Sequence, residues 1–136
     1  MKLNIIHRES LDAEKWNALV ANSKDAAFFS YTWYLDAIAE NWSVITDDDY
    51  SVGIALPYTK RMSQQILYTP IFVSYLELLG AKGLIDLKLF QKMILAQFKL
   101  IEVEFKEPLL GKQHEVFICQ STKIVGKRKP QVNRML

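Results

Sequence analysis

Apolar positions along this chain switch between a period of two and a helical period, and the switches divide it into elements. From Lys2 to His7 a run of apolar and β-branched residues predicts a short strand. Ser10 or Asp12 can then cap a helix that carries Trp16, Leu19 and Val20 on one face. A second helix is expected after "AFFS", with Ser30 as its cap and Tyr31, Tyr34 and Ile38 aligned on one side; Trp33 and Ala37 widen that apolar face.

The period then returns to two. "WSVIT" and, after the turn signal Asp47-Asp48-Asp49, "SVGIALPYT" predict an antiparallel pair in which Val52, Ile54, Leu56 and Tyr58 alternate with smaller residues. Gly53 and Ala55 on the opposite face leave room for a closely packed helix. Pro57 has no amide donor, which places it near a strand end, bulge or edge. "QILYTP" predicts a third strand, and "IFVSYLELLGAKG" a long connection, too apolar for a solvated linker, that packs across the sheet.

Asp86 can cap a third helix, with Leu87, Phe90, Ile94 and Phe98 as a buried stripe and Met93 beside them. In "LIEVEFKE", Ile101, Val103 and Phe105 alternate with Glu102, Glu104 and Lys106, as in a strand with one buried face. "EVFICQ" predicts its hairpin partner through "PLLGKQH". The expected order is β-α-α-β-β-β-α-β-β, an α+β fold with a central, mostly antiparallel sheet and helices on its faces.

Composition narrows the function classes. Half of the 136 residues are apolar and 24% are charged, the balance of an ordinary globular domain, and the net charge of +2 gives no reason to expect a nucleic-acid or membrane partner. A single cysteine, Cys119, cannot form an internal disulfide, and with His7 and His114 as the only histidines no zinc-type ligand set can be assembled from spacing. The opening residues "MKLNIIHRES" contain no signal-peptide run, and a cytoplasmic location is the expectation.

Candidate chemistry gathers in "LLGAKGLID". Amides around Gly80 to Leu84, with the charge of Lys82, can face a phosphate or carboxylate; alternatively Gly80 and Gly83 supply turn conformations and Asp86 caps the helix. Glu102 and Glu104 share a strand face and could serve acid/base work, although charge alternation on a half-buried strand accounts for them with less effort. Phe28, Phe29, Tyr31, Trp33 and Tyr34 have the spacing of core residues, with lining of a ligand cleft as the alternative. "GKRKP" has the composition of a solvated tail or linker.

The order of elements resembles the acyltransferase fold of the GNAT superfamily, and more specifically the N-terminal lobe of Fem-type (FemABX-like) aminoacyltransferase-like proteins. The likeness is carried by "EKWNALVANSKDAAFFSYTWYLDAIAE", "VGIALPYTKRM" and "YTPIFVSYLELLG", and spans roughly residues 1 to 120. In acyltransferase members the resemblance implies a Gln/Arg-x-x-Gly-x-Gly/Ala loop that binds the coenzyme's pyrophosphate. Here Gly80, Lys82 and Gly83 stand in that place, the glycines are three apart, and Leu76 or Glu77 replaces the basic or amide residue.

The resemblance therefore implies a substrate-shaping lobe over 1–122 without an intact acetyl- or acyl-coenzyme A site, no cofactor of its own, and a basic tail or linker over 123–136 leading toward a second lobe. The alternative is a free-standing interaction module that pairs with a homodimer partner through an exposed sheet edge.

Overall fold

A computed structural model of the chain describes residues 2–81, 83, 85–106 and 116–118. Among the described residues there are seven strands and three α-helices: β1 (Leu3–His7), α1 (Ala13–Asn22), α2 (Thr32–Ile38), β2 (Asn41–Asp47), β3 (Val52–Arg61), β4 (Gln64–Tyr68), β5 (Leu78–Gly80), α3 (Leu87–Gln97), β6 (Leu100–Glu102) and β7 (Val116–Ile118). Single 3-10 turns cover Arg8–Ser10 and Phe28–Ser30. The fold is α+β. One sheet runs β1-β2-β3-β4-β6-β7, and β5 joins it beside β3. Its strand pairs are antiparallel except β4 with β6.

Two hydrophobic layers sandwich this sheet. On one face Trp16, Leu19 and Val20 of α1 pack with Leu35, Trp42, Val44, Ala55 and Leu79. Helix α1 begins at Asp12, whose Oδ1 accepts from the Lys15 amide at 3.2 Å. Small residues on β3 let it come close, as the alternation predicts: a Cβ on Gly53 would stand 2.8 Å from Trp16 Cζ3. On the other face Phe90, Ile94 and Phe98 cover Ile45, Ile54, Leu56, Leu67 and Ile101. Helix α3 starts at Asp86, which accepts from the Leu89 amide at 3.2 Å.

Four sequence expectations need correction. Ser30 does not cap α2, because the 3-10 turn ends there and the helix starts two residues later; the Thr32 amide is instead capped from α1 by Asn17 Oδ1 at 3.0 Å. The buried face of α2 is Thr32 and Leu35, while Trp33 is 59% exposed. Leu87 lies in the first turn of α3, before the stripe meets the sheet, and is 44% exposed. Finally, "LLG" of the long connection is a strand, since Leu78–Gly80 pairs with Val52–Ile54 of β3.

The rest of that connection crosses toward β6. The Leu76 amide donates to the Glu104 carbonyl and the Lys106 amide donates back to the Leu76 carbonyl, each at 2.9 Å. Strand β3 thus holds β2 along one edge, and β5 and β4 in succession along the other. Pro57 falls between the last β5 pairing at Ile54 and the first β4 pairing at Tyr58, where a missing amide breaks neither ladder. Strand β7 pairs with β6 as expected of "EVFICQ"; the connecting "PLLGKQH" and the basic tail lie outside the described residues.

Candidate functional site

The glycine-bearing segment lies where β5 ends. Gly80 has φ of +107°, and a Cβ there would stand 2.3 Å from the Ser51 carbonyl oxygen, so close approach to β3 demands glycine. Its amide donates to Ser23 Oγ at 2.9 Å, and Ser23 in turn donates to the Leu19 carbonyl at 2.6 Å. Gly83 is exposed with open space around its Cα, and Lys82 lies outside the described residues. Gly80 lines an open cleft of about 470 Å3, with Lys15, Asn22, Ser23, Asp49 and Ser51 around it.

The rim of that cleft is held by the β2–β3 turn. Burial disfavours charge on Asp47, but hydrogen bonds from the Ser51 hydroxyl and from the Ser51 and Val52 amides outweigh it and hold the carboxyl below the usual range. Tyr50 takes a left-handed φ of 55°; its hydroxyl accepts from the Asp12 amide at 3.2 Å, and Lys15 Nζ lies 6.0 Å from its ring centre.

Glu77, the one charged residue between Pro70 and Lys82, is buried. Its Oε2 accepts from the Ala27 amide at 2.8 Å and from Ser30 Oγ at 3.2 Å, while Oε1 stands 3.5 Å from Lys106 Nζ. Lys106 also donates to the Asp25 carbonyl at 3.1 Å and lies 5.7 Å from the Tyr75 ring centre. A buried carboxylate is thereby satisfied from three sides, and it fastens the Phe28–Ser30 turn to the sheet.

What that turn presents is an aromatic surface. The expected core group divides: Phe29 is buried beside Tyr75, whereas Phe28 is 56% exposed. Phe28 meets Tyr34 edge to face at 5.0 Å, Trp33 meets Tyr34 at 5.9 Å, and Tyr31 stacks on Trp33 at 5.7 Å. The Tyr34 hydroxyl donates to the Phe72 carbonyl at 2.9 Å, tying in a loop on which Ile71 and Phe72 are 71% and 76% exposed. Phe72 has φ of 69°, a left-handed conformation that is strained for an aromatic residue. Large exposed side chains scattered singly carry no message, but Phe28, Tyr31, Trp33 and Tyr34 are linked ring to ring into one connected, part-exposed patch. Ile71 and Phe72 were hidden from sequence reasoning because an apolar pair after a proline has the pattern of a packed connection.

The remaining candidates are not brought together. Glu102 is exposed at the end of β6, and Glu104 is half-buried beyond it, with its amide donating to Thr69 Oγ1 at 3.0 Å. His7 ends β1; His114 and Cys119 lie outside the described residues. Among the described residues no group of three His, Cys, Asp or Glu could hold a metal ion, and no helix is long and apolar enough to cross a membrane. At the far side of α2, Arg8 makes two bonds of 2.9 Å to Asp36. The Arg8 hydrogen bond, helped by one from Trp42 Nε1, holds the Asp36 carboxyl below its ordinary range.

Comparison with protein-family models, curated proteins and solved structures found no match.

Proposed function

We propose that this chain is the substrate-shaping, non-catalytic lobe of an acyltransferase-like protein of Fem or GNAT type, and that it works by docking its aromatic surface against a second lobe. The observation that carries the proposal is the surface of Phe28, Trp33, Tyr34, Ile71 and Phe72, in which three aromatic rings and an isoleucine are held in solvent and one backbone conformation is strained to do so. Stable association relies on a few rigid aromatic anchors, and these need no folding of their own when a partner arrives.

Two further observations support it. A strand, two helices, a run of antiparallel strands, a helix and two further strands follow one another in an order compatible with the resemblance, with β5 added to the three strands expected before α3. The Gly80 amide, the donor that a pyrophosphate would need, is given to Ser23, and Asp86 occupies an amide at the start of α3. Acyl-donor chemistry would then belong to the second lobe, with this one forming a wall of the acceptor cleft.

Thermal unfolding with and without acetyl-coenzyme A tests the non-catalytic part. No shift in melting temperature is expected, since a ligand at 100 times its dissociation constant would stabilise by about 2.7 kcal/mol; a saturable rise would overturn it. Docking is tested by the emission of Trp33, which should move to shorter wavelength when a second lobe binds and stay unchanged in a Phe72→Gly protein.

A further inference from the structure

We infer that the outer edge of β1 pairs with β1 of a second copy of this chain, antiparallel about a two-fold axis at Ile5, so that one sheet continues through both molecules. Strand β1 ends the sheet, and among the described residues no element pairs with its outer side. Its ladder to β2 is regular over the whole strand, from Leu3 opposite Asp47 to His7 opposite Ser43, with no bulge to twist the edge away. Folded proteins blunt such edges with lysine, proline, inward charges or bulges. Between Leu3 and His7 there is no proline, no glycine, no lysine and no acidic residue.

Both hydrophobic layers reach this edge and stop there. Leu3 and Ile5 belong to the layer under α3, and Ile6 to the layer under α1, with both isoleucines only half-buried. An added strand would cover their remaining apolar surface while satisfying the outward backbone groups.

Residues facing one another across a ladder must share a sheet face, so antiparallel self-pairing keeps odd positions opposite odd ones. Centring on Ile5 is the register that uses the whole strand: Ile5 meets Ile5, Asn4 meets Ile6 and Leu3 meets His7. Lys2 then faces Arg8 at either end, but the Arg8 guanidinium is already neutralised by its two bonds to Asp36 and lies 5.6 Å from the Trp42 ring centre. The contact is small, so self-association is weak and concentration-dependent. It does not depend on the acyltransferase-like assignment.

Sedimentation velocity of the full chain across the micromolar to millimolar range tests the inference, with the mean mass expected to double. Neighbouring residues of an antiparallel strand turn their amides to opposite edges. One of Ile5→Pro and Ile6→Pro therefore removes an outward donor and leaves the β1–β2 ladder whole, and the variant that keeps the parent circular dichroism should remain monomeric. Hydrogen exchange provides the second measurement: protection of alternate amides from Leu3 to His7 should rise with concentration. A parent that stays monomeric at millimolar concentration, a folded proline variant that dimerises like the parent, or β1 protection that ignores concentration would each overturn the pairing.

Discussion

Tyr34 and Phe72 are joined by a hydrogen bond from a phenol to a backbone carbonyl, 2.9 Å long, that holds an exposed phenylalanine in the left-handed region. The bond fixes a loop in a conformation the Phe72 side chain disfavours, and the ring gains almost no burial in return. Phe72→Gly removes a strain of roughly 1 kcal/mol and loses little packing, so urea denaturation should show unchanged or slightly raised stability. Association with a second lobe should weaken in the same variant. A large loss of stability would mean that the ring serves the fold instead.

Two glycines on neighbouring strands should respond differently to alanine. At Gly53 the new methyl group presses on the Trp16 ring and on the Ile45 carbonyl, an overpacking that costs about 1–3 kcal/mol. At Gly80 it meets the Ser51 carbonyl at 2.3 Å while φ is +107°, so Gly80→Ala adds backbone strain to a contact that no side-chain movement relieves. Equilibrium unfolding should therefore rank Gly80→Ala as the more damaging.

Glu77→Ala leaves the Ala27 amide and Ser30 hydroxyl without their acceptor and takes the carboxylate from Lys106. Lys106, about a third exposed, can turn to water, so the cost is that of the inward donors left without an acceptor, about 1–3 kcal/mol. Glu77→Gln retains a carbonyl oxygen for both donors and should cost less. If the Phe28–Ser30 turn depends on this anchor, near-ultraviolet circular dichroism of the aromatic surface should flatten in the alanine variant and persist in the glutamine one.

Acid should erode stability through Asp36 and Asp47. Both carboxyls titrate below their ordinary range in the folded chain, Asp36 through its bond to Arg8 and Asp47 through the donors of the β2–β3 turn. The unfolded chain consequently binds more protons as pH falls past its carboxylate values near 4. Stability from these groups is present above that pH and disappears as pH drops through the lower folded values. Since Asp36 is substantially exposed, its share is within about 1 kcal/mol. Asp36→Asn should flatten part of the slope of a urea midpoint plotted from pH 5 downward.

The elements were legible wherever a local signal and the tertiary contact agreed. Asp12 and Asp86 cap the helices expected of them, and Gly53 and Ala55 make room for Trp16 as the alternation of β3 implies. Sequence misled where a distant residue took over a local task. Asn17 caps α2 in place of Ser30, whose hydroxyl turns to Glu77 across 47 positions of chain. Trp33 has the spacing of a core residue, but α2 is only seven residues long and buries Thr32 and Leu35. Leu78–Gly80 looked like a loop because its partner on β3 lies far back in the sequence. At the candidate site, Gly80 and the aromatic group were visible in the sequence, whereas the Ser23 and Glu77 connections depend on long-range contacts.

Strand β3 gathers β2, β4 and β5 along its two edges, with Pro57 at the point where one partner gives way to the next. Because β5 is recruited from beyond β4, closing its short ladder also closes the longer intervening loop, at an entropic cost the adjacent β3–β4 hairpin does not bear. Loop-closure entropy therefore favours the β2–β3–β4 meander, around Ile45, Ile54 and Leu67, forming ahead of the segment that carries Phe72, Glu77 and Gly80. On that order Phe72 and Gly80 loosen before the β2–β3 turn that holds the opposite rim of the cleft.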